Sequence, residues 1–139
     1  MAGHLVLDSS GRVLIGQTSY DSGYWTIPGG VVEKDESPRA AAIRETREEI
    51  GLVVEASSLV AVHYIGDANV PDRLILVFLG GILSATEASH LSIPKDQSEW
   101  VEFKFVVPRE ADQILSPELR RVVQWSTAVY SGTTCYLEL

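Results

Sequence analysis

The chain has 139 residues, 45% hydrophobic and 22% charged, which is one domain's worth of sequence with enough apolar material for a core. Nineteen Asp and Glu against eleven Lys and Arg give a formal net charge of −8, a balance that repels nucleic acid backbone and anionic lipid and argues against duplex nucleic acid and membranes as partners. The longest uncharged apolar run, Leu74–Leu83, is well short of the roughly twenty residues a membrane helix needs, and the single cysteine, Cys135, supports neither an intramolecular disulfide nor a Cys-rich zinc site.

Residues 1–139 read as a single domain without repeats or a dividing linker. Residues 4–7 and 12–16 are apolar stretches around the turn signal Asp8-Ser9-Ser10-Gly11, which predicts a β-hairpin. Pro28-Gly29-Gly30 punctuates the chain, and a short extended piece follows at Val31-Val32. A helix is predicted from Pro38 to Ile50, with Ser37 as N-cap, Pro38 in the first turn and Gly51 at the C-terminal stop. Strands are predicted over 52–66 and 74–82, with a turn-rich polar loop over 66–73. A long polar connection over 84–99 leads to a strand at Val101–Val107; such loops are often functional. A second Ser-Pro start, Ser116-Pro117, opens a helix reaching about Tyr130, with Leu119, Val122, Val123, Ser126, Val129 and Tyr130 as its apolar-side stripe. Strands, helix, strands and helix in this order suggest a mixed sheet with helices packed on it, a layered α/β fold.

The first helix carries the chemistry. Glu33, Asp35, Glu36, Glu45, Glu48 and Glu49 crowd into this short stretch. With Glu45 set at zero on a helical wheel, Glu49 falls at about +40° and Glu48 at about −60°, so the three carboxylates share one side. Ala42, Ile43, Thr46 and Ile50 fall between about +60° and +160° and form the expected core face. Carboxylates this close repel one another. Solvent and on-helix ion pairs with Arg44 or Arg47 could relieve the repulsion. A hard divalent cation such as Mg²⁺ or Mn²⁺, which prefers oxygen ligands, could do so as well, and it would also let an acidic protein accept a phosphorylated small molecule.

The full spacing is more specific: Gly30, five residues, Glu36, seven residues, Arg44-Glu45, two residues, Glu48-Glu49, one residue, Gly51-Leu52. Residues 30–52, preceded by Trp25-Thr26-Ile27-Pro28-Gly29, resemble the signature of the Nudix hydrolases, the MutT-type family. One position departs: Thr46 stands where the family usually carries an aliphatic residue, which touches helix packing rather than the carboxylates. The resemblance implies an α/β/α sandwich with a mixed sheet between helices. It also implies hydrolysis of a phosphoanhydride bond in a nucleoside diphosphate linked to another moiety, with Mg²⁺ or Mn²⁺ as cofactor. By position, Glu45, Glu48 and Glu49 would hold the metal, with the Gly29 carbonyl as a further ligand. Arg44 would orient Glu45, and Glu36 would support the site through Arg44 or through a metal-bound water. Gly30 would allow close backbone approach. The general base would be Glu45, or a carboxylate from a later loop, for which Glu99 fits better than Glu102. A Nudix-fold binding or sensor module without turnover is the competing class; such modules usually lose a box carboxylate, and this chain keeps all of them. Family resemblance also leaves a homodimer open, as does the first strand, whose short edge a neighbouring subunit could complete.

The remaining residues say less. Tyr20, Tyr24 and Trp25 could stack on a base or pack the core edge, and Arg73 and Lys95 could hold a phosphate or be ordinary surface. His63 reads as a satisfied structural histidine, and His4 and His90 lack partners at zinc spacing. Trp100 and Trp125 read as core or interface anchors. Asn69, Val70 and Asp67 stand where the diadenosine polyphosphate and ADP-ribose subgroups carry Tyr and Pro. The substrate therefore stays open among nucleoside triphosphates, nucleotide sugars and dinucleotides. The absence of a basic segment leading into a long apolar one at the start of the sequence implies a reducing, cytoplasmic setting.

Overall fold

A computed structural model describes residues 1–55, 58–67, 69–96, 98–126 and 134–138. Its centre is β1 (Ala2–Asp8), in which every residue is buried, as expected of a strand covered on both faces. A tight turn follows, in which the Asp8 carboxylate accepts the Ser10 and Arg12 N–H groups, each at 2.9 Å, and pairs with Arg12 Nε at 2.6 Å. Gly11, at φ 77°, supplies the left-handed residue that the turn requires. The predicted hairpin with β2 (Val13–Thr18) forms, but its strands register only at Leu7 and Val13. Beyond that point β2 pairs with β3 (Trp25–Thr26) and β7 (Trp100–Val106). The start of β1 pairs instead with β4 (Gly29–Gly30), Ala2 opposite Gly30 and Gly3 opposite Gly29. The extended piece is thus Gly29–Gly30 rather than Val31-Val32, because Val31 lies past the reach of β1 and is exposed.

On its other side β1 runs parallel to β6 (Val70–Leu83). It is an interior strand, so the expectation of a short edge completed by a neighbour does not hold. β6 makes a long antiparallel hairpin with β5 (Leu59–Asp67), from Leu59 opposite Phe78 to Asp67 opposite Val70. Most of the predicted 66–73 loop is therefore strand, and residues 52–55 are not. β8 (Cys135–Glu138) adds parallel to β5. Among the described residues the main order is β3-β2-β1-β6-β5-β8, with β4 on β1 and β7 on β2.

The alternation within β1 separates two cores. Val6, Leu14, Ile50, Leu83 and Trp100 pack on one face beneath α1 (Pro38–Ile50) and α2 (Ala85–Ser89), continued by Ala2, Ala41, Ala42 and Phe78. Leu5, Leu7, Ile15 and Val77 pack on the other, against Ala111 of α3 (Pro108–Ile114) and Leu119, Val122 and Val123 of α4 (Pro117–Ser126). The fold is an α/β/α sandwich. The part of the second predicted helix over 127–130 lies outside the described residues, as do the side chains of Trp125 and Cys135. α2 and α3 interrupt stretches expected to be irregular. α2 is set by a reciprocal cap, Glu87 N–H to Ser84 Oγ at 3.2 Å and Ser84 N–H to Glu87 Oε2 at 2.7 Å. No helix among the described residues is long and apolar enough to cross a membrane.

Candidate active site

α1 starts and stops where its sequence dictates. Ser37 is extended, and its Oγ accepts the Ala40 N–H at 3.1 Å, one of the donors a helix start leaves free. Gly51 ends the helix at φ 69°, returning its N–H to the Arg47 carbonyl at 2.9 Å. These ends fix which side of α1 meets the sheet, and with it the position of the acidic residues.

Arg44 organises three of those carboxylates. Its Nε and Nη2 bind the two oxygens of Glu36 at 3.0 Å each, a two-pronged contact that only a guanidinium makes. Its Nη1 reaches Glu45 Oε1 at 2.9 Å and Glu48 Oε2 at 3.2 Å, and Nη2 also donates to the Val31 carbonyl at 3.2 Å. Arg44 thereby holds Glu36 well below the ordinary carboxylate range, while burial outweighs the same guanidinium at Glu45 and raises it.

Glu49 differs from the others. The wheel placed it on the solvent side beside Glu45, yet it is buried, 6% exposed. The +40° position borders the core, and the β1–β4 corner covers it. Its Oε2 accepts the Gly29 N–H at 2.9 Å. Burial pushes its carboxyl up to about 9, the Gly29 N–H opposes that, and the charges of Glu45 and Glu99 add to it. The Trp100 indole favours its ionised form from β7, although no well-aligned hydrogen bond joins the two.

Glycine makes the corner possible. Gly29 has φ 148°, and a Cβ there would sit 2.5 Å from the Ala2 carbonyl oxygen. A Cβ on Gly30 would occupy the place of the Glu45 carboxylate.

Sequence reasoning missed Ser98. Its hydroxyl donates to the Glu49 carbonyl at 2.9 Å and accepts the Trp100 N–H at 3.0 Å. The Ser19 N–H holds the Glu99 carbonyl at 2.7 Å. Together they bring Glu99 close enough for its charge to be felt by Glu45, Glu49 and Tyr20. Glu102 lies along β7 opposite Gln17, exposed and away from this group.

A cleft of about 110 Å³ adjoins Gly29 and Gly30. Ile27, Ile65, Ile75 and Leu119 form its apolar walls, and Tyr24, Arg73 and Glu118 its polar ones. Trp25 points elsewhere: it packs on the α3–α4 core, with Lys104 Nζ 4.3 Å from its ring centre.

Two polar residues sit inside the cores. Thr46 lies on the predicted core face, fully buried, and its hydroxyl meets His4 Nδ1 at 2.8 Å. The cost of a hydroxyl at this position is offset by that bond. His63 differs from the satisfied histidine expected from its strand: it is fully buried, and neither ring nitrogen has a hydrogen-bond partner among the described residues.

Among the described residues no three carboxylate, His or Cys side chains already surround one point in ligating geometry, since Glu45 and Glu48 are turned to Arg44 and Glu49 to Gly29. The donor set nonetheless fits a hard divalent cation. It is all oxygen, carboxylates outnumber the cation that pairs with them, and a buried carboxyl held up by its acidic neighbours is relieved when positive charge arrives.

An α/β/α sandwich with an acidic helix packed over a Gly-Gly corner defines the class. A family model described as NUDIX domain matches residues 1–126, and the chain belongs to that family. Over 61 residues it is 39% identical to a CTP pyrophosphohydrolase from Escherichia coli (strain K12), a match covering 42% of this chain and 45% of that one. It is 28% identical over 137 residues to an RNA pyrophosphohydrolase from Novosphingobium aromaticivorans, covering 86% of this chain and 84% of that one. The MutT protein of Methanosarcina mazei Go1 superposes with a TM-score of 0.75 at 21% identity, covering 91% of each chain. The chain spans less than half the length of several curated relatives, 45%, 38% and 38% in three of them.

Proposed function

We propose that this protein hydrolyses a phosphoanhydride bond in a small nucleoside diphosphate derivative, with Mg²⁺ or Mn²⁺ held by Glu45, Glu48 and Glu49 and by the Gly29 carbonyl. The observation that carries this reading is the Arg44 fan. One guanidinium gathers Glu36, Glu45 and Glu48, with the buried Glu49 bonded to the Gly29 corner that lines a cleft. When bound, the cation supplies charge neutralisation for the pyrophosphate and a water of lowered pKa.

The chain's own residues do the rest. Glu36 fixes Arg44, and Arg44 holds Glu45 and Glu48 on one side of α1, so the carboxylates are gathered near one another before substrate arrives. Glu45 and Glu99 are the two candidates for taking the proton of the attacking water. Glu45 is held by Arg44, while Glu99 is exposed on a loop pinned by Ser19. Tyr24 and Arg73 line the cleft and would contact the nucleotide. The intact acidic set favours turnover over a binding module.

The test is a phosphate-release screen with Mg²⁺ and Mn²⁺ over nucleoside triphosphates, nucleotide sugars, ADP-ribose and diadenosine polyphosphates, with a phosphatase to convert monoester products. Metal-dependent turnover of one class is expected. Glu48→Gln and Glu49→Gln should each lower it by roughly 100-fold or more with little loss of folding. Wild-type turnover in either variant at saturating metal would remove that residue from the site, and silence across the panel would remove the hydrolase.

A further inference from the structure

We propose that Trp100 is a positioning residue for the metal: its buried indole N–H is the donor that holds the Glu49 carboxylate ready for ligation. This deepens the hydrolase reading and rests on the ligand set assigned there. Trp100 is 2% exposed, and its Nε1 has no hydrogen-bond partner among the described residues. Buried donors left unpaired are rare and costly. A wholly apolar ring would fill the core without that cost, so packing alone leaves the N–H unexplained.

The chain is built to aim this indole at α1. Phe103 and Phe105 of β7 pack on the α1 face, and strand alternation would put Val101 on the same side. The register between β2 and β7 shifts instead, with Gln17 opposite Glu102 and Thr18 opposite Trp100. That bulge leaves Val101 exposed and turns Trp100 into the α1 core in its place. The indole ring lies on Gly16 of β2, where any Cβ would collide with it. Ser98 then ties the start of β7 to the last turn of α1. Its hydroxyl donates to the Glu49 carbonyl and accepts the Trp100 backbone N–H, so one hydroxyl links the two residues.

Glu49 is the acceptor this arrangement offers. The buried residues clustered with Trp100 are Val6, Leu14, Ile50 and Leu83, all apolar. Glu45 and Glu48 are turned to Arg44. Glu49 is itself buried, the indole favours its ionised form, and the Gly29 N–H is bonded to Oε2. An ionised carboxylate accepts at about four lone-pair sites, so two donors leave room for a cation. Carboxylates oriented by outer hydrogen bonds bind metal more tightly, because their geometry is set in advance.

The experiment is a Mn²⁺ titration of the full chain, with free Mn²⁺ read by electron paramagnetic resonance, where nothing depends on turnover. Trp100→Phe keeps a ring over Gly16 and deletes the donor. It should weaken Mn²⁺ binding roughly ten-fold, whereas Phe105→Leu, which shrinks the same cluster, should leave the affinity unchanged. In ¹⁵N-labelled protein the Trp100 indole N–H resonance, identified by its loss in Trp100→Phe, should move downfield as Mg²⁺ is added. If that variant does not fold, the same resonance, assigned by elimination with Trp25→Phe and Trp125→Phe, decides on the wild-type chain. Unchanged Mn²⁺ affinity in Trp100→Phe, an equal loss in Phe105→Leu, or an indole resonance that saturating Mg²⁺ leaves in place overturns the proposal. Turnover in the phosphate-release screen, with wild-type Mn²⁺ affinity in Trp100→Phe, defeats this inference and leaves the hydrolase. Weakened Mn²⁺ binding in that variant without turnover in the wild-type chain does the reverse.

Discussion

α1 and α4 begin with the same Ser-Pro dipeptide and cover opposite faces of one sheet, yet they treat their polar groups in opposite ways. Beneath α1 the carboxylates share Arg44 and the buried His4 is bonded to Thr46. On the α4 side, among the described residues, Glu118 has no ion pair and neither ring nitrogen of the fully buried His63 has a hydrogen-bond partner. The difference teaches where rigidity is placed. Apart from the Trp100 indole N–H, the α1 side pairs its polar groups internally, which suits the preorganised centre proposed above. The α4 side leaves more of its polar capacity unused among the described residues.

The largest expected effect comes from removing the residue that makes the α1 side self-satisfied. Arg44→Ala leaves Glu36, Glu45 and Glu48 without their common partner, and the α1 face then resembles the α4 face. Displacing catalytic groups by about an ångström can cost roughly 100-fold, so steady-state turnover should fall by that much or more. Arg44→Lys should not restore it, because an ammonium cannot hold Glu36 with two prongs and reach Glu45 and Glu48 as well. Lys restoring most of the turnover would show that charge alone, not geometry, is what Arg44 supplies.

The next effect is on stability and depends on pH. Burial holds the His4 imidazole down at about 4, against an ordinary 6.5, although its hydrogen bond to the Ala42 carbonyl acts the other way. Above pH 6.5 His4 is neutral in both folded and unfolded chains. As pH falls from 6.5 towards 4, the unfolded chain takes up a proton that the folded one refuses, and stability is lost, by up to about 3 kcal/mol. His63 is lowered by burial too, so the measurement is best made in His63→Leu. Urea denaturation between pH 7 and 4 of that variant, with and without His4→Gln, should give two curves that differ by a loss assignable to one proton; the opposite contribution of Glu49, whose raised carboxyl adds stability as pH falls, is common to both. An unchanged slope would mean that His4 is not the group.

The asymmetry between the faces also marks how far the sequence could be read. α1 was legible to the residue, because Ser37, Pro38 and Gly51 are local signals for local geometry, and the spacing from Gly30 to Leu52 is itself a local pattern. Glu49 was not, since a helical wheel gives an angle but not the neighbour that closes over it, and that neighbour, the Gly29 corner, is set by pairing with β1. The 66–73 segment reads as a loop because Gly66, Asp67, Asn69 and Pro71 are turn formers and Asp72 and Arg73 are polar. Their polarity reports exposed side chains and says nothing about a backbone ladder with β5. α3, at seven residues, is too short for periodicity to declare itself, and β8 depends on β5 as its template. Ser98 carried no signal, because a serine matters there only once α1 and β7 have been brought together. The His4–Thr46 pair had a faint one: two polar residues on two predicted core faces call for each other.

The smallest expected effect is the one most specific to the α4 face. Removing a buried polar group that has no partner should cost nothing, whereas removing one of a bonded pair leaves the other stranded. His63→Leu should therefore keep or slightly raise the melting temperature. His4→Leu, which strands the Thr46 hydroxyl in the α1 core, should lower stability by about 1–3 kcal/mol, a shift of several degrees in a scan of a domain this size. The two substitutions are chemically identical and both sites are fully buried, so the difference between them isolates the hydrogen bond. Equal losses would mean that His63 has a role in the fold its unbonded ring does not reveal, and the contrast between the faces would narrow to the carboxylates alone.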